Sequence, residues 1–164
     1  MTENVFEKRG AGSEGQSEPV GSPASAAHVR ASRTHSDPDW PALRHAAIAA
    51  AGSAYAPYSR LNVGAAALCD DGRVVTGCNV ENASYGLGMC AECTMAGQLR
   101  LTGGGRFTAV ACRSGTGDLL MPCGRCRQVL YEFGGPDCLL DTPRGILPLS
   151  EVLPDAFGPE DLPA

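Results

Sequence analysis

Val63-Gly64-Ala65-Ala66-Ala67-Leu68-Cys69, then Asp70-Asp71-Gly72, then Val74-Val75-Thr76-Gly77-Cys78, is the stretch that decides the fold. Two apolar runs of strand length flank an Asp-Gly turn, which predicts a β-hairpin. Upstream, Asp39 suits a helix cap and Pro41 a first turn, while Leu43, Ala47 and Ala51 recur at every fourth position and mark one buried helical face. His45 on that helix reads as structural rather than catalytic. Downstream, Cys90 to Leu101 reads as a helix stopped by Gly103-Gly104-Gly105, and Phe107 to Cys112 as a buried strand. A second helix introduced by Pro122 runs to Phe133 and stops at Gly134-Gly135. Short strands at Cys138 to Asp141 and Gly145 to Leu149 precede a helical turn at Ser150 to Leu153. The order helix, hairpin, helix, strand, helix, strands predicts an α/β domain with a mixed sheet covered by helices on both faces.

The predicted helices bring chemistry with them. Each opens on a cysteine segment, Cys90-Ala91-Glu92 in the first and Pro122-Cys123-Gly124-Arg125-Cys126 in the second. Three thiolates from Cys90, Cys123 and Cys126 suit a catalytic zinc, which needs three protein ligands and an open fourth position for water. Helix N-termini favour thiolates and lower their pKa. Glu92, two residues after the first ligand, is placed to reach that water as a general acid/base without replacing it. C-x-E followed by P-C-x-x-C is a known signature of zinc deaminases, matched here rather than deduced. Two other readings accompany it: a redox pair, or a structural site closed by Cys93 as a fourth ligand, although helix spacing can aim Cys93 away from the metal.

The run Asn79-Val80-Glu81-Asn82-Ala83-Ser84-Tyr85 before Cys90, with Cys123-Gly124-Arg125-Cys126-Arg127-Gln128 after it, resembles the small cytidine deaminase family. The likeness extends over residues 40 to 158 and takes in Pro57-Tyr58-Ser59, Val63-Gly64-Ala65-Ala66 and Leu153-Pro154-Asp155-Ala156-Phe157. It implies a three-layer α/β/α sandwich with five strands, one Zn2+ per subunit and a homotetramer with sites shared between subunits. It also implies hydrolytic deamination of cytidine and 2′-deoxycytidine. In that reading Glu92 takes a proton from water and passes protons to ring N3 and the departing amine. Asn79 and Glu81 hold the ribose, as an amide and a carboxylate can. The amide of Ala91 and the carbonyl of Cys123 hold the base. Ala83 and Tyr85 reach a neighbouring subunit's site, and Phe157 caps one. Leu61 stands where the family usually carries Phe beside the base, a departure that gives the pocket less aromatic surface. A second departure concerns charge. Three thiolates and a hydroxide leave about −2 at zinc. The Arg that usually follows the catalytic Glu is Cys93 here, and Arg125 between the later cysteines is read as its relocated counterpart, a hydrogen-bond donor to ligand sulfur.

Rival functions remain open on the residues alone. A deaminase of a nucleoside antibiotic such as blasticidin S shares the Cys-Gly-Arg-Cys-Arg-Gln run. A polynucleotide or base deaminase usually has His as first ligand, and a zinc-binding module without catalysis would need no Glu92. Net charge −5 and pI near 5.1 argue against a polyanionic partner such as nucleic acid and for a small, nearly neutral substrate. A hydrophobic content of 43% over 164 residues suits one folded core. No stretch is long enough to cross a membrane and the N-terminus lacks the apolar core of a secretory signal, so the expected setting is the cytoplasm. Reduced thiols are then expected of the eight cysteines, with Cys69, Cys78, Cys112 and Cys138 read as small buried hydrophobes in strands. Residues 1–36, rich in Ser, Gly, Ala and Glu, read as a flexible extension in which His28 and His35 are solvated. The catalytic domain is expected over 37–158 and a tail over 159–164.

Overall fold

The structure, a computed structural model, describes residues 37–163; the proposed extension, with His28 and His35, lies outside them. Helix α1 (Trp40–Ala51) starts as its sequence requires: the Asp39 carboxylate accepts the Ala42 N–H at 3.0 Å, and Pro41 sits in the first turn, where its missing N–H costs nothing. Leu43, Ala47 and Ala51 form its buried face, while His45 is exposed. The hairpin follows as β1 (Val63–Cys69) and β2 (Val74–Cys78). Its loop closes through Gly72 N–H to the Cys69 carbonyl and Cys69 N–H to the Arg73 carbonyl, with Gly72 at φ 87°, the left-handed bulge that a three-residue hairpin needs. Then come α2 (Ala91–Leu101), β3 (Phe107–Ser114), α3 (Gly124–Gly134), β4 (Leu139–Thr142), β5 (Gly145–Pro148) and the single turn α4 (Leu149–Val152). One turn of 3-10 helix at Pro159–Asp161 orders part of the expected tail.

The strands form one sheet in the order β2-β1-β3-β4-β5, with only β3 and β4 parallel neighbours. Because β2 and β3 both run antiparallel to β1, they share a direction, and α2 is the crossover between them. α3 is the crossover from β3 to β4. Alternation along β1 divides the core. Ala65, Ala67 and Cys69 join Met95, Leu99, Phe107, Cys112 and Leu130 beneath α2 and α3, whereas Ala66 joins Ala109, Ala111, Leu43 and Ala47 beneath α1. The result is the three-layer α/β/α sandwich with a mixed five-stranded sheet.

Two glycines set how closely the helices approach. A Cβ on Gly64 would lie 1.9 Å from the Ala47 carbonyl oxygen, so α1 rests directly on β1. A Cβ on Gly77 would lie 2.3 Å from the Ala91 carbonyl oxygen, so the first turn of α2 rests on β2. Thr94 completes that second contact by donating to the Cys78 carbonyl at 2.8 Å. The N-terminus of α2 is thereby pinned where β2 ends.

Candidate metal centre and cleft

The segment after β2 delivers the next residues in a fixed order. Val80 exchanges two hydrogen bonds of 2.9 Å with Met89, while Tyr55 accepts from Glu81 at 2.8 Å and donates to the Asn79 carbonyl at 3.0 Å. This local ladder holds 79–81 between Tyr55 and Met89, and Cys90 follows as the cap of α2. Cys123 caps α3 in the same extended conformation. Two helix N-termini thus converge, and the sulfurs of Cys90, Cys123 and Cys126 all lie within 4.8 Å of one another, Cys123 and Cys126 at 3.5 Å. Tetrahedral thiolates on zinc at 2.3 Å stand about 3.8 Å apart, so the donor set and its spacing fit that ion. Cys93 falls outside the cluster, which leaves three ligands rather than a closed set of four.

The thiols differ in setting. Burial pushes Cys90 and Cys126 up, whereas the backbone N–H of Cys126, foremost, holds the exposed Cys123 below its ordinary value. Metal binding deprotonates all three. Arg125, exposed on α3, places Nη2 3.6 Å from the Cys90 sulfur and 3.2 Å from the Gly88 carbonyl oxygen. Glu92, on the first turn of α2, is only 4% exposed.

A cleft of about 440 Å³ opens over this centre, lined by Leu61, Asn79, Glu81, Tyr85, Ala91 and Glu92, with Cys90 and Cys123 at its floor. Met89, Leu120 and Met121 add apolar wall that sequence reasoning left unassigned. Ala83 and Phe157 do not line it; both are exposed on this chain. Asn79 and Glu81 do more than face the cleft. The Asn79 amide accepts from Val63 N–H at 2.8 Å and donates to the Leu61 carbonyl at 2.9 Å. Glu81 accepts from the backbone N–H groups of Tyr58 at 2.9 Å and Ser59 at 3.2 Å, and from the Ser59 hydroxyl. That hydroxyl, foremost, holds the Glu81 carboxyl below its usual range. Ser59 was quoted in the sequence only as part of a run, and nothing local marked it as the partner of an acid 22 residues on.

Comparison with known proteins gives the arrangement its relatives. The profile of the cytidine and deoxycytidylate deaminase zinc-binding region matches residues 41–141. A cytidine deaminase of Mycobacterium tuberculosis is 62% identical over 127 residues, 77% of this chain and 96% of that protein. One from Halalkalibacterium halodurans is 42% identical over 125 residues, covering 71% and 92%. The crystal structure of cytidine deaminase from Mycobacterium leprae superposes with a TM-score of 0.71 at 55% identity, over 73% of this chain and all of that one. Three thiolates at two helix N-termini, a buried acid beside them and identity on this scale leave one assignment: the chain belongs to the cytidine and deoxycytidylate deaminase zinc-binding family.

Proposed function

We propose that the chain hydrolyses cytidine and 2′-deoxycytidine to uridine and 2′-deoxyuridine with release of ammonia. The observation that carries this is a buried Glu92 beside three convergent thiols at the floor of a nucleoside-sized cleft. Cys90, Cys123 and Cys126 hold zinc, which when bound supplies the Lewis acidity that makes water nucleophilic near neutral pH. Glu92 takes a proton from the attacking water as oxygen joins ring C4. It passes that proton to ring N3, then takes the remaining proton from the new C4 hydroxyl and gives it to the amine, so that C4=O forms as the C–N bond breaks with ammonia as leaving group. The Ala91 amide and the Cys123 carbonyl hold the base edge, with Leu61 along the ring.

Asn79 and Glu81 read the sugar. Their bonds to the 58–63 loop leave capacity for it: the amide keeps one hydrogen and one lone pair, and a carboxylate has about four acceptor sites, of which three are used. Arg125 draws electron density from the Cys90 sulfur. Tyr85, 84% exposed at the mouth, and the exposed Ala83 and Phe157 serve a neighbouring subunit in a homotetramer. Residues 37–158 form the catalytic domain, with 1–36 an extension and 159–164 a tail. No described helix is long and apolar enough to cross a membrane, and all eight cysteines are free, which suits a reducing cytoplasm.

The test is ammonia release by metal-quantified protein offered cytidine, deoxycytidine, cytidine monophosphate and blasticidin S side by side. Turnover of the first two is expected to exceed that of the others by at least about 100-fold, well within the roughly 10,000-fold that a site built to bond a substrate's hydroxyls can reach. Preference for blasticidin S or no release at all would refute the assignment.

A further inference from the structure

Cys112 reads from sequence as a small hydrophobe in a strand, and it is indeed packed in the core beneath α2 and α3 at 1% exposure. Its sulfur, however, stands 3.6 Å from Glu92 Oε1, with donor geometry. The backbone that carries it is rigid. Cys112 pairs with Ala65 in the middle of the sheet, and its carbonyl accepts from Leu120 N–H at 3.3 Å and from Arg113 Nη1 at 2.7 Å. We propose that the Cys112 thiol is a positioning residue for the reaction, holding one oxygen of Glu92 through an S–H···O hydrogen bond so that the other is aimed at water and substrate.

The ligand thiols cannot do this work. Cys126 also lies against Glu92, but a ligand thiol gives up its proton to bind the metal. Cys112 is not among the clustered cysteines, and burial and the neighbouring Glu92 charge keep its proton on sulfur. A thiol is a weak donor, and here that weakness is useful. A soft S–H contact on Oε1 orients the carboxylate without forming an ion pair with it. Burial on a strand makes the direction reproducible, because neither partner can turn toward bulk water.

This inference rests on Glu92 being the proton carrier, and the test separates the two claims. Infrared spectra of the zinc-loaded protein, parent minus Cys112→Val, should isolate one S–H stretching band displaced to low frequency. Glu92→Ala should move that band up, because its acceptor is gone. Without a displaced band the bond does not exist and the proposal fails, whatever the activity. In kinetics, Cys112→Val, which keeps apolar bulk, should lower kcat for cytidine roughly 10-fold, the lower end of the loss seen when an outer hydrogen-bond partner of a metal site is removed. KM and zinc content should stay near those of the parent. Cys112→Ser, which can still donate, should recover most of the kcat. A valine variant as fast as the parent, or a serine variant no faster than valine, overturns the positioning role. Full turnover by Glu92→Gln would instead overturn the functional reading and leave the band in place.

Discussion

The sheet has one buried carboxylate on each face, Glu92 at 4% exposure in the first turn of α2 and Asp141 at 3% beneath α1, and their surroundings are opposite. Asp141 is clamped by two guanidinium groups. Arg44 is bidentate, with Nε at 2.7 Å and Nη2 at 3.1 Å, and the buried Arg113 closes the other side. Glu92 has no such partner and meets thiols instead, Cys112 at 3.6 Å and the nearby Cys126. Burial alone would raise the Asp141 pKa, but the hydrogen bonds from Arg44 and Arg113 outweigh it and hold the group below its usual range. A carboxylate locked in its charged form ties α1, β3 and β4 together and cannot move protons. One that meets only thiols beside a cysteine cluster carries no such lock. Burial of an acid is therefore not by itself a sign of catalysis; the partner decides.

The largest effect expected from this contrast is on turnover. Glu92→Gln should lose about 100- to 10,000-fold in kcat, the range for a general acid/base, while zinc content and nucleoside binding persist. Zinc measured on the purified variant decides the role, since loss of the metal would make Glu92 a ligand. Asp141→Asn should do the reverse. Removing one member of a buried ion pair costs about 3 kcal/mol of folding stability, read as a lower denaturation midpoint, and turnover per folded, zinc-loaded molecule should stay within about twofold. Because the Asp141 pKa is depressed on folding, its stabilisation is complete above the unfolded value near about pH 4 and is lost as pH falls through the folded value. The parent should therefore weaken in acid more steeply than Asp141→Asn. Parallel acid curves would mean that the clamp contributes nothing.

The same contrast explains which parts of the molecule were legible in sequence. The hairpin, α1 and the two cysteine-capped helices each carry their signal within a dozen residues: an Asp-Gly turn, a capped apolar face, a C-x-x-C spacing. The convergence of cysteines 33 residues apart was legible because both segments open helices and carry a ligand-like spacing. Asp141, read only as the end of a strand, gave no such sign, since its partners lie 97 and 28 residues away and no periodicity links them. Cys112 was likewise read by composition, correctly as buried, while its contact with Glu92 depends on how β3 passes under α2. The loop clamp of Asn79 and Glu81 was hidden for the same reason: the motif drew attention to the cleft, and the backbone it holds precedes it by some twenty residues.

Glu81 combines the two behaviours, being both held by a loop and open to the cleft. Glu81→Ala should lower kcat/KM for cytidine by roughly 10- to 100-fold, the scale of a lost hydrogen bond to a charged group. A loss confined to nucleosides, with cytosine base turned over at the parent's low rate, would place Glu81 on the sugar; equal loss on both would reduce it to a loop clamp.

Arg125 should show the smallest effect, because it acts on sulfur from an exposed position. Three thiolates exceed the charge of a divalent ion, and a guanidinium at 3.6 Å from Cys90 offsets part of the excess through a hydrogen bond that water also competes for. Its shared bond to the Gly88 carbonyl holds it there and links α3 to the segment leading into Cys90. Arg125→Ala should therefore lower kcat/KM roughly fivefold and change the rate at which a chelator strips zinc. Cys93 is a near neighbour of Arg125, so Arg125→Ala combined with Cys93→Arg would return a guanidinium to the same neighbourhood and should recover much of the loss. If Arg125→Ala matches the parent in both turnover and zinc release, the helix N-termini alone balance the thiolates, and Arg125 is no more than a solvated side chain on α3.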